Sequence, residues 1–137
     1  EIEDLLGRDA VPPIGDLLSR DTAAKNVLVT GAGGSVGSEL VRQVLRQGPS
    51  RLVLFDVSEP ALYEIGVEVQ SLVAQIPDEQ PKPEVIMVLG SVLDAPLVNE
   101  TLRRCAVATI YHAAAYKHVP IVEHNASVGL TNNVLGT

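Results

Sequence analysis

Three stretches hold residue types that could do chemistry together. The first is VLVTGAGGSVGSEL at residues 27–40, an apolar run that enters a glycine-rich turn and leaves into an apolar-periodic segment. Read as G-x-G-x-x-G from Gly31 and Gly33, the pattern fails at Val36; read as G-x-x-G-x-x-G, Gly31, Gly34 and Gly37 all fit. In a strand-to-helix turn, one such glycine permits the tight bend, one lets the backbone approach a diphosphate, and one lets the helix pack on the strand. Free amides and the helix dipole then favour a phosphate, which makes Gly31, Gly33, Gly34, Ser35, Val36 and Gly37 candidate cofactor-binding residues. A plain tight turn would use the same glycines, so the flanking strand and helix patterns carry the stronger reading.

The second stretch is RLVLFD, ending in Asp56, 25 residues after Gly31 and 19 after Gly37. That is near the offset at which an acid accepts hydrogen bonds from an adenosine ribose, with Ser58 just beyond it. The carboxylate would also repel a 2′-phosphate. No Lys or Arg lies between Asp56 and Lys82, and Arg51 stands at the far end of the strand, about 17 Å away at ~3.3 Å per residue. NAD is therefore expected over NADP. Ser91 and Val92, after Gly90, lie where an adenine could rest. Asp94 beside them suits a helix cap as well as a ligand contact. The third stretch is HAAAYKHVP, in which Ala113, Ala114 and Ala115 allow close approach of a cofactor and Lys117 could meet a ribose or phosphate oxygen. His112 and His124 read as structural, His118 as a polar contact or a packed loop residue, and their six-residue spacing does not suggest a metal site.

The elements that must position these residues alternate. Strands are predicted at Asn26–Thr30, Arg51–Asp56, Glu84–Gly90 and Val107–His112. Helices are predicted over a stripe of Val36, Leu40, Val41, Val44 and Leu45, over Glu59–Ile76, and from Asp94 through Cys105. Right-handed crossovers then give an α/β, Rossmann-type doubly wound parallel sheet of order 3-2-1-4, with its ligand crevice where the order reverses between strands 1 and 4. Residues 1–24 read as a lead-in and a poor candidate for core, and 25–137 as the NAD-binding domain. The single cysteine, Cys105, falls on an apolar helix face and reads as an inert core thiol.

Composition agrees with that reading. At 137 residues with 46% hydrophobic and 20% charged, one domain can bury a core. A net charge of -7 argues against nucleic acid as a partner. One cysteine excludes an internal disulfide framework and fits a reducing, cytoplasmic setting. No apolar run is long enough to span a membrane, and the acidic start does not look like an export signal.

EIEDLLGRD-x-V, VTGAGGSVGSEL, LVLFD-x-SE-x-x-LY, HAAAYKHVP and NNVLGT together resemble the polysaccharide-biosynthesis branch of the extended short-chain dehydrogenase/reductases, and specifically UDP-N-acetylglucosamine 4,6-dehydratases. The resemblance covers nearly the whole chain. It implies that Gly31, Gly34 and Gly37 hold a pyrophosphate, Asp56 the ribose, Ser91-Val92 the adenine, and Ala113–Ala115 the nicotinamide half. It also implies NAD-dependent removal of water from a UDP-sugar, by hydride withdrawal at C4, elimination across C5 and C6, and hydride return to C6. The acid/base residues of that reaction are expected beyond Thr137, so the chain reads as the amino-terminal part of a catalytic domain, inactive alone. Its fourth strand would be an apolar edge inclined to homo-oligomer formation, and the whole protein would be anchored on the cytoplasmic face of a membrane. Two alternatives share the glycine turn: a nucleotide-sugar epimerase or reductase, and a non-catalytic dinucleotide-sensing module.

Overall fold

Short Val- and Leu-rich runs bounded by turn residues become strands, the two central ones buried on both faces and the two outer ones partly exposed, and the intervening amphipathic segments become the helices that pack on them. The computed structural model describes residues 15–137. In chain order these form α1 (Gly15–Thr22), β1 (Asn26–Thr30), α2 (Ser35–Arg46), β2 (Arg51–Asp56), α3 (Glu59–Ala74), β3 (Glu84–Leu89), α4 (Ala95–Arg104) and β4 (Thr109–His112). Two short helices follow, α5 (Val119–His124) and α6 (Ala126–Leu130), and then a π-helical turn over Thr131–Leu135. The four strands form one parallel sheet of order β3-β2-β1-β4, as expected. The fold is a Rossmann-type doubly wound α/β sheet.

Register sets the site. Thr30 pairs with Phe55 on one side and His112 on the other, and Asp56 pairs with Leu89, so all four carboxyl ends arrive at one edge. One face of the sheet packs Val27, Val29, Leu52 and Leu54 against Val41, Val44 and Leu45 of α2 and Leu62, Ile65 and Val69 of α3. The other packs Leu28, Val53 and Phe55 with Cys105 and the α4 side chains Leu97, Val98 and Leu102. Complete burial of such a side chain contributes about 1.5–3 kcal/mol relative to exposure. Cys105 is a buried core thiol.

Four local expectations need correction. Part of the lead-in is a helix: α1 ends in Thr22, fully buried, whose hydroxyl donates to the Leu18 carbonyl. Thr109 Oγ1 donates to the Asp21 carbonyl at 2.6 Å, tying α1 to β4. Residues 1–14, including EIEDLLGRD, lie outside the described residues. β4 begins at Thr109 instead of Val107 because Val107 closes α4: its amide donates to Leu102 and that of Ala106 to Arg103, with Ala106 at φ 47°. This is the paired 6→1 and 5→2 bonding that ends a helix, with alanine in the position glycine usually takes. β3 stops at Leu89, although the Gly90 amide still reaches the Asp56 carbonyl. Val36 leaves the predicted core stripe of α2 and is 51% exposed.

Helices α2 and α3 are clasped by a two-pronged ion pair, with Arg42 Nε 2.6 Å from Glu68 Oε1 and Nη2 3.0 Å from Oε2. The guanidinium holds the Glu68 carboxyl below the ordinary carboxylate range, chiefly through these hydrogen bonds. A carboxyl depressed on folding stabilises at pH above its unfolded value of about 4.3 and loses that contribution as pH falls through the lower folded value. Glu68→Gln is therefore expected to melt below wild type near pH 7, with the gap closing in the acid range below about pH 4. The effect is modest because the pair is partly solvated. Melting curves across that range check it; a gap that widens in acid would refute the assignment.

Among the described residues, no helix is long and apolar enough to cross a membrane.

Candidate functional site

The turn after β1 bends at Gly31, whose φ of +62° lies in the left-handed region. A Cβ there would also stand 2.7 Å from the Ala113 carbonyl oxygen, so the loops following β1 and β4 touch at the point where strand order reverses. Three residues into α2, a Cβ on Gly37 would fall 1.8 Å from the Gly31 carbonyl oxygen, so backbone packs directly on backbone.

Gly34 caps α2 with no side-chain hydrogen bond, and the first turn carries no acid. The Gly34 amide is used by the Gly31 carbonyl at 3.0 Å, but those of Ser35, Val36 and Gly37 meet no acceptor among the described residues. Three amides and the positive end of a twelve-residue helix therefore point into the crevice.

Asp56 is 7% exposed and aimed at this turn. Its Oδ2 accepts the Gly33 amide at 2.8 Å and its Oδ1 the Ser58 amide at 2.9 Å. Each oxygen keeps acceptor capacity for a further donor. Ser58 caps α3, its Oγ accepting from Ala61 at 3.4 Å. Ala61 in turn walls Gly33, where a Cβ would come within 2.6 Å of it.

These segments line one cavity of about 670 Å³, within the range of small-molecule sites. It brings together every residue proposed from the sequence: Gly31, Gly33, Gly34, Ser35, Val36, Gly37, Asp56, Ser58, Ser91, Val92, Ala113, Ala114, Ala115 and Lys117. Asp94 lies outside it and caps α4, with Oδ1 accepting from Leu97 at 3.0 Å. His112 is held by Thr30 Oγ1 at 2.7 Å from its Nδ1 and does not line the cavity, whereas His118 does.

A second wall was not read from the sequence: Ile121, Val122, Asn125, Val128, Gly129 and Asn132, from α5, α6 and the π-helical turn. Asn132 Nδ2 donates to the Ala114 carbonyl at 3.2 Å. The paired asparagines of NNVLGT were the available signal, because a buried amide beside a loop must bond to it.

The donor set fits a dinucleotide. Unpaired amides at a helix start suit a diphosphate, a buried carboxylate beside them suits a ribose diol, and three small residues facing the turn leave room for a flat ring.

The chain is similar to several known proteins. The chain is 39% identical over 137 residues to the capsular polysaccharide biosynthesis protein CapD of Staphylococcus aureus, covering 100% of this chain and 22% of that protein. It is 27% identical over 113 residues to a UDP-N-acetylglucosamine 4,6-dehydratase (inverting) of Campylobacter jejuni, covering 82% of this chain and 30% of that one. Among solved structures, UDP-glucose 4-epimerase from Brucella ovis in complex with NAD matches with a TM-score of 0.59 and 25% identity, over 82% of this chain and 30% of the epimerase. The chain thus spans under a third of the length of each of these proteins. The profile of the family described as polysaccharide biosynthesis protein matches residues 27–137, which include every residue lining the cavity. With the fold, the glycine turn and the carboxylate in agreement, this chain belongs to the polysaccharide biosynthesis protein family.

Proposed function

We propose that this chain is the NAD-binding part of a nucleotide-sugar 4,6-dehydratase acting on UDP-N-acetylglucosamine. The observation that carries the reading is Asp56, buried at the carboxyl end of β2 and bonded to the Gly33 amide within the turn that presents three unpaired amides.

Ser35, Val36 and Gly37 would hold the diphosphate through their amides, and Asp56 the adenosine ribose. Ser91 and Val92 would flank the adenine. Ala113–Ala115 would face the nicotinamide half, with Lys117 supplying the positive charge: it is the only Lys or Arg among the described residues lining the cavity. A nicotinamide bound there supplies reversible hydride acceptance, which a dehydration by way of a transient ketone requires. The carboxylate of Asp56 would stand against a 2′-phosphate, favouring NAD over NADP. The Campylobacter relative supports the choice of sugar, and the Brucella epimerase that of cofactor.

Calorimetric titration with each dinucleotide is expected to show NAD binding at least about tenfold tighter than NADP, the worth of one well-placed charged hydrogen bond. A polypeptide of the relatives' length carrying this chain is expected to convert UDP-N-acetylglucosamine to a 4-keto-6-deoxy sugar. Inversion at C4 without loss of water would favour an epimerase instead. Binding without turnover of any nucleotide sugar would favour a dinucleotide-sensing module.

A further inference from the structure

We propose that Asn133 is a positioning residue for Lys117, acting through the backbone of Tyr116; the inference rests on the dinucleotide reading above. Asn133 Oδ1 accepts the Tyr116 amide at 2.9 Å, and Asn133 Nδ2 donates to the Tyr116 carbonyl at 2.9 Å. A side-chain amide carries the same donor and acceptor as a peptide, so Asn133 gives Tyr116 the double pairing that a neighbouring strand would give.

No strand of the described residues reaches this far. β4 ends at His112, and from Ala115 through Lys117 no other bond from outside the loop reaches the backbone among the described residues. Asn132 Nδ2 reinforces the clasp with 3.1 Å to Asn133 Oδ1, while also holding the Ala114 carbonyl. Both asparagines come from the π-helical turn, an irregularity that frequently marks functional sites.

Immediately after the clasped residue, Lys117 lines the cavity and forms no ion pair with a carboxylate among the described residues. Its long side chain loses rotamer freedom on meeting an anion, and a fixed backbone at its root reduces the ordering that remains. The Tyr116 groups are exposed, so water can replace Asn133 without large loss of stability. Affinity should therefore fall more than folding.

The test is a double-mutant cycle on NAD binding by calorimetry, with melting temperatures recorded for every protein. Lys117→Ala is expected to weaken NAD about tenfold, and Asn133→Ala about three- to tenfold. If Asn133 acts through Lys117, the double variant binds no more weakly than Lys117→Ala alone, and Asn133→Ala flattens the salt dependence of binding as Lys117→Ala does. Multiplying losses, or an unaltered affinity in Asn133→Ala, would overturn the proposal. Should Asn133→Ala fail to fold, Asn133→Asp takes its place in the cycle, keeping the acceptor and losing the donor. A wild-type chain that binds neither dinucleotide removes the parent reading itself, a result distinct from normal NAD binding with additive losses.

Discussion

Asp56→Ala should lose NAD affinity by about 1–3 kcal/mol, roughly 5- to 150-fold, and lose conformational stability by a similar amount. Both losses have one origin. The carboxylate accepts the amides of Gly33 and Ser58 at 2.8 and 2.9 Å, and both bonds are part-buried. Removing it leaves two donors without a partner at the root of the glycine turn, and removes the acceptor that the proposed function offers to a ribose diol. Asp56→Asn separates the two contributions. It preserves the shape, but its NH2 group must oppose either the Gly33 or the Ser58 amide, donor against donor. It should therefore recover packing better than binding. In both variants the proposed preference for NAD over NADP should narrow, since the charge that would repel a 2′-phosphate is gone. Titrations with both dinucleotides, paired with urea unfolding, check these points. Wild-type affinity in Asp56→Ala would end the ribose assignment.

Gly37→Ala is expected to have the largest effect on folding of any single methyl addition in the turn. The new carbon would stand 1.8 Å from the Gly31 carbonyl oxygen, 2.6 Å from its carbon and 3.1 Å from Ala32 Cα. All three are backbone atoms, so no side chain can rotate away, and α2 must lift off the β1 turn. The cost should be about 3 kcal/mol or more, beyond ordinary overpacking, with NAD binding lost as the amides separate. Two companion variants make this specific. Gly48→Ala carries a φ of +69° and meets nothing within 4 Å among the described residues, so it should cost only about 1–2 kcal/mol, from backbone conformation, and leave binding unchanged. Gly34→Ala meets only the Gly31 carbonyl oxygen, at 3.3 Å, among the described residues, so it should fold yet obstruct a diphosphate seated on the helix start. Circular dichroism melts and NAD titration on the three proteins distinguish them. A Gly37→Ala protein as stable as wild type would contradict the packing described for this turn.

What could be read from the residues was local. The strands and the turn of Gly31, Gly34 and Gly37 follow from apolar period and turn chemistry, which act within about thirty residues, and the sheet order follows from the handedness of successive crossovers. Asp56 was readable for the same reason, because the end of one strand and the turn of its neighbour are joined by a single crossover. Position in three dimensions decided the remainder. Val36 shares the period of the α2 core stripe, yet it lies one turn too early to meet the sheet and faces the cavity instead. Thr22 belongs to a polar stretch, but docking of α1 against β4 through Thr109 buries it. The wall of Ile121, Val128 and Asn132 belongs to short helices with little periodicity, and which face meets the crevice depends on where β4 releases the chain. The sequence by itself determined a parallel sheet with an anion-ready turn and an acid beside it, since hydrogen-bond geometry and steric size within a single β-α-β unit are enough to specify them. Only the tertiary structure decided that residues 121–132 close the cavity and that Asn133 clasps Tyr116, because contacts across 17 residues of short, weakly periodic helices depend on packing that no local period encodes.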